Sequence, residues 1–116
     1  MSDIKRTNVG SRLSDMAVFN GVVYLAGQVP DDATLDMQGQ TRQVLGMIDT
    51  LLKEAGTSKE RLLMVQIFVA NMKEFDQMNK AWDEWVSKEN APPRATIEAR
   101  LANPDYKVEI VATAAL

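Results

Sequence analysis

The sequence predicts an α/β (α+β) fold in which a single mixed sheet carries two helices packed on one of its faces. Three observations lead there. About residues 36–55 and 71–86, apolar residues return at three- and four-residue steps, the period of an amphipathic helix. Short apolar runs of strand length lie before, between and after those stretches. The resulting order is strand, hairpin, helix, strand, helix, strand, strand, with no internal repeat, linker or low-complexity segment, so residues 1–116 are expected to form one domain.

A short strand is expected around Ile4 to Val9. Met16-Ala17-Val18-Phe19 and Val22 to Ala26 then flank Asn20-Gly21, a two-residue hairpin signal, because both turn positions need positive φ. Gly27-Gln28-Val29-Pro30 closes the hairpin. From Asp36 to Ala55 the residues Val44, Ile48, Leu51, Leu52 and Ala55 form one apolar stripe, and Gly56 is placed to stop that helix. Leu62 to Ala70 reads as a strand with Val65, Ile67 and Val69 on one side and Gln66 and Phe68 on the other. Asn71 with Glu74 three residues later resembles a capping box opening a second helix through Phe75, Met78, Trp82, Trp85 and Val86. That helix ends before Asn90-Ala91-Pro92-Pro93. Strands at Ala95 to Leu101 and Lys107 to Ala114 complete the chain, joined by Ala102 to Tyr106.

Composition removes many chemistries. The chain has 116 residues, 46% hydrophobic and 25% charged, with no cysteine and no histidine. Disulfides, thiolate nucleophiles, Cys/His zinc sites and every Ser-His or Cys-His dyad are therefore excluded. A net charge of -3 with scattered Lys and Arg gives no basic footprint, so nucleic acid is not the expected partner. Asp31-Asp32 with Asp36 lacks the spaced oxygen ligands of a calcium loop and reads as a solvated turn, so no metal is expected. Met1 to Arg6 has no apolar run behind its charges and no stretch is long enough to span a bilayer, so no membrane partner and a cytoplasmic location are expected.

Several strands are apolar on both sides, notably Val22 to Ala26 and the chain after Glu109. Two helices can blanket only one face of such a sheet. A second subunit is expected to cover the other, which makes the protein a homo-oligomer.

The residue that points to a site is Arg94. It follows Pro92-Pro93, whose fixed φ would deliver it to one place at low entropic cost, and a guanidinium so held can grip a carboxylate with two parallel hydrogen bonds. The period of two puts Arg94, Thr96, Glu98 and Arg100 on one face of their strand and Ala95, Ile97, Ala99 and Leu101 on the other. The apolar set is expected under the helices and the polar set toward the subunit contact. There a buried arginine needs an anion, either a ligand carboxylate in a cleft between subunits or Glu98 or another acidic side chain of the neighbour. Trp82 and Trp85 are expected to pack, the methionines at 37, 47, 64, 72 and 78 to fill, and Gly27 to serve backbone conformation or a close approach.

Taken together, Asn20-Gly21 leading to Ala26-Gly27-Gln28, Gln40-Thr41, Ala55-Gly56, Ile67-Phe68-Val69, Met72, Phe75, Asn79 with Trp82, Pro93-Arg94-Ala95 and Lys107-Val108-Glu109-Ile110 resemble the RidA family, also called YjgF/YER057c/UK114 or L-PSP. The resemblance runs from about residue 14 to the end, and Asn79 to Trp85 with Leu101 to Lys107 resemble its YoaB-like branch more than RidA itself. It implies a chorismate-mutase-like (YjgF/L-PSP) fold and a trimeric barrel whose sheets line the centre, with three ligand clefts between subunits and no cofactor.

By that resemblance Arg94 binds the carboxylate of a 2-imino or 2-enamino acid while a held water attacks the imine carbon and ammonia leaves. Thr96 matches a frequent cysteine position. Gly27, Ser14 and Val111 would line the substrate site with it, and Glu98 is the candidate replacement for a lost catalytic carboxylate. Two departures stand out. Arg12-Leu13-Ser14-Asp15-Met16 lacks the family's tyrosine, and the water-positioning glutamate falls on Val111. The readings left open are weak imine hydrolysis, a different substrate, a non-catalytic small-carboxylate-binding or chaperone-like trimer, and last an endoribonuclease.

Overall fold

The computed structural model describes residues 3–116. Its elements are β1 (Lys5–Thr7), β2 (Met16–Phe19), β3 (Val22–Leu25), α1 (Met37–Ala55), β4 (Leu62–Val69), α2 (Phe75–Trp85), β5 (Arg94–Glu98) and β6 (Val108–Ala115), with 3-10 turns at Lys59–Arg61 and Met72–Glu74. One six-stranded sheet has the order β1-β2-β3-β6-β4-β5. Every neighbouring pair is antiparallel except β4 and β5, which run parallel, so the sheet is mixed as expected. Among the described residues no helix is long and apolar enough to cross a membrane.

Local chemistry explains the elements. Asn20 and Gly21, at φ 51° and 77°, form the tight turn between β2 and β3. Asp36 caps α1 by accepting the Gly39 N–H at 2.8 Å, and Gly56, at φ 87°, ends it in the left-handed conformation. The face of α1 carrying Met37, Val44, Leu45, Ile48 and Leu52 is buried against Val23, Val65, Ile67, Ile110 and Ala112 of the sheet and Met78 and Trp82 of α2. Asp32 accepts from the Thr34 amide and hydroxyl at 3.0 and 2.5 Å, so the acidic stretch before α1 is a hydrogen-bonded turn.

One polar side chain sits fully inside. Gln40 is 0% exposed; its Nε2 donates to the carbonyls of Ala33, Leu35 and Asp105 at 3.2, 3.0 and 3.1 Å, and its Oε1 accepts the Lys107 N–H at 2.8 Å. It fastens the segments before α1 and before β6 to the first turns of the helix. Burial is possible because donors and acceptor are all satisfied.

The observed elements differ from expectation in three places. β1 stops at Thr7 because Asn8 turns to φ 54° and donates its side chain to Asp15 at 2.8 Å. Asn71 accepts from the Lys73 amide, opening a 3-10 turn, and α2 begins only at Phe75. β5 covers Arg94–Glu98 rather than Ala95 to Leu101, since its partner β4 ends at Val69 and the ladder finishes with the Ala99 N–H on the Val69 carbonyl.

The faces of β5 are also reversed from expectation. Parallel pairing sets Arg94, Thr96 and Glu98 opposite Val65, Ile67 and Val69, which are 0–1% exposed beneath the helix layer. The polar residues thus face the helices, and Ile97, 46% exposed, lies on the open side. Phe19, Tyr24 and Met64 are also exposed, and the open face carries an apolar surface that no helix of the chain covers.

Candidate functional site

Arg94 is the first residue of β5, and its approach is fixed on the chain's own terms. The Pro93 carbonyl accepts the Val65 N–H at 3.0 Å, docking the end of the double proline onto β4 just before the ladder begins. The side chain then lies against α2. Its Nη1 donates to Asn79 Oδ1 at 2.8 Å, and its guanidinium carbon stands 5.1 Å from the Trp82 ring centroid and 5.9 Å from that of Phe75. Residues 75, 79 and 82 are spaced i, i+4, i+7, so one stripe of α2 presents two rings and an amide to the cation.

The half-buried guanidinium has no carboxylate partner. Arg42 with Glu84 is the one ion pair among the described residues. Burial draws the Arg94 pKa below its ordinary value, and nearby Asp83 partly opposes that. The group remains a cation at neutral pH, with most of its five N–H donors not taken up by the chain.

Two residues along, the Thr96 hydroxyl is buried and meets no hydrogen-bond partner. Glu98 takes a different role. Its Oε2 accepts the Met72 N–H at 2.8 Å, holding the 3-10 turn that precedes α2, and it pairs with neither Arg94 nor Arg100. Trp85 donates its indole N–H to Asp49 at 2.8 Å and stacks at a tilt on Trp82, so the tryptophans pack as expected, while Trp82 also supports the arginine.

A second group of predicted residues gathers around Gly27. Gln28 and Ile110 exchange two backbone hydrogen bonds at 2.8 and 3.0 Å, which brings Gly27 beside β6. A Cβ at position 27 would meet the end of the Glu109 side chain, so this glycine and that carboxylate lie in close approach. Leu13, Asp15, Gly27, Tyr106 and Glu109 border a groove of about 520 Å³. Val111 lies one strand repeat beyond Glu109 on the open face. Ser14 borders an adjoining groove of about 480 Å³ with Arg6, Arg12 and Tyr24.

Within one chain the two groups stay apart. β4 lies between β5 and β6, which places them about 10 Å apart, and their site residues point to opposite faces of the sheet. The cradle of Phe75, Asn79 and Trp82 was not assigned from sequence, although its helical spacing was visible there. The same holds for Glu109, which shares the period of two with Val111.

Residues 4–116 match the family model described as Endoribonuclease L-PSP. A "RutC family protein" of Haemophilus ducreyi is 55% identical over 97% of both chains. "RutC family protein YoaB" of Escherichia coli is 42% identical, covering 97% of this chain and 98% of its own. Among solved structures, NMB1025 of Neisseria meningitidis, described as a member of the YjgF protein family, superposes with a TM-score of 0.94 at 38% identity, covering 97% of this chain and 94% of its own.

Proposed function

We propose, from the premise that this chain belongs to the endoribonuclease L-PSP family of RutC, YjgF and Rid proteins, that it hydrolyses small reactive 2-imino and 2-enamino acids to 2-keto acids and ammonia. One observation carries this reading: Arg94 is half-buried, braced by Asn79 and two aromatic rings, and forms no ion pair with a carboxylate among the described residues. A small acid supplies the missing charge. Its carboxylate would take the vacant N–H groups of the fork, and Thr96 would offer its unpaired hydroxyl to the ligand or to water.

The reaction suits a protein without histidine or cysteine. An iminium carbon is already electrophilic, so holding it beside a water in a fixed orientation supplies most of the required acceleration. Residues 1–116 would act as one cytoplasmic domain without cofactor. Three copies would close their open faces into a barrel, setting Arg94 of one copy near Gly27, Ser14 and Val111 of the next. The uncovered apolar face supports that assembly. The test is release of ammonia and keto acid from enzymatically generated imines, which the protein should accelerate and Arg94→Ala should not; equal rates for both would defeat the proposal.

Val111 favours a second reading, a non-catalytic trimer that binds small carboxylates or acts as a chaperone-like partner, since a valine cannot orient water or take a proton. Stabilisation by pyruvate without turnover of imines would select it. Endoribonuclease activity has the least support, given the net charge of -3 and the absence of histidine.

A further inference from the structure

We infer that Glu109 is the general base of this site, a role that rests on the imine-hydrolase reading. Its carboxylate is half-buried beside the Gly27 backbone, no hydrogen bond or ion pair engages it among the described residues, and it borders the groove of about 520 Å³. A Cβ at position 27 would displace the end of that side chain, and the φ of Gly27 is not in the left-handed region, so the two residues are linked by their close approach. The carboxylate thus lies against bare backbone and has no partner among the described residues. Glu109 also lies on the same face of β6 as Val111, one repeat or about 7 Å away, within reach of a ligand that touches Val111.

Glu98, the other candidate, is committed to the Met72 amide. Glu109 is free to act. As water bonds to the iminium carbon, the Glu109 carboxylate takes one water proton and the C=N π pair moves to nitrogen, giving a neutral carbinolamine. The resulting carboxylic acid returns the proton to that nitrogen. The C–N bond breaks with its electron pair leaving on ammonia, the C=O bond forms, and the hydroxyl proton passes to the carboxylate and then to solvent. The negative charge also attracts the iminium before attack.

Steady-state hydrolysis of enzymatically generated imines tests this, with circular dichroism and thermal melts establishing that each variant folds. Glu109→Gln should lower kcat at least about 100-fold. Gly27→Ala, which displaces the carboxylate, should also lower kcat, and should add little in the Glu109→Gln background. If the wild type turns over while folded Glu109→Gln keeps its rate, the role is overturned and the hydrolase reading survives. If the wild type does not accelerate hydrolysis, both fall together.

Discussion

Arg94 Nη1 donates to Asn79 Oδ1 across 2.8 Å, joining the first residue of β5 to the middle of α2. A neutral amide is an informative partner for a half-buried cation. It orients the guanidinium without neutralising it, so the positive charge remains available to a ligand. Removing the amide in Asn79→Ala should let the fork swing and raise KM for an imino acid about fivefold, one net hydrogen bond being about 1 kcal/mol, with kcat nearly unchanged. Steady-state kinetics will show whether KM moves alone; an unaltered KM contradicts the orienting role.

Arg94→Lys keeps the charge and loses the fork. Substrate capture, measured as kcat/KM, should fall about 10- to 100-fold. The pH dependence should change as well. Burial lowers the pKa of the cation at this position, so the charged form is lost as pH rises through the folded-state value. An arginine stays charged throughout the working range, whereas a lysine starts near 10.4 and shifts downward. Activity of Arg94→Lys should therefore decline above about pH 9 while that of the wild type does not.

Thr96→Val removes a buried hydroxyl that has no partner. Calorimetry of the ligand-free protein should find it as stable as the wild type or more so, by up to about 1 kcal/mol. Pyruvate should protect the variant less against heat. Lower stability with unchanged ligand protection would mean the hydroxyl serves the fold.

Gln40→Met leaves three carbonyls and the Lys107 amide without their buried partner. Urea unfolding should show a loss of about 2–4 kcal/mol. The segment containing Tyr106, which borders the Glu109 groove, should gain hydrogen-exchange mobility.

The proposed cleft between subunits makes a quantitative demand on mixtures of subunits. Arg94→Ala and Glu109→Gln chains, each inactive alone, should regain about a quarter of wild-type activity when co-assembled in equal amounts. Random pairing joins the intact halves at about one cleft in four. No recovery in verified mixed assemblies would place both residues in one chain's own site, against the separation seen across β4.

Most of the fold was legible because its signals are local. Asn20-Gly21, the Asp36 and Gly56 ends of α1 and the stripe through Val44, Ile48 and Leu52 each carry their instruction within a few residues. β5 was not legible in the same way. Its alternation separates polar from apolar residues, but the face each set occupies depends on its parallel register with β4, a contact between distant segments. The rule that apolar residues turn inward fails there because Trp82 and Phe75 roof the edge with aromatic surface that accepts a guanidinium. Arg94 could thus be singled out from its prolines while its surroundings could not. Glu109 was overlooked because its closeness to Gly27 arises from the pairing of Gln28 with Ile110, two distant segments.

The crossover from Trp85 to Arg94 has a further consequence for how such chains can diverge. Side chains along a strand alternate, so the register at which the chain after Pro93 joins β4 decides which set meets the aromatic roof. Substitutions between Val86 and Pro93 that keep the loop length leave that register intact. A one-residue insertion or deletion that shifts the strand register would turn Ala95 and Ile97 inward and leave Arg94 and Thr96 facing out, disabling the proposed anchor while every residue of the proposed site is still encoded.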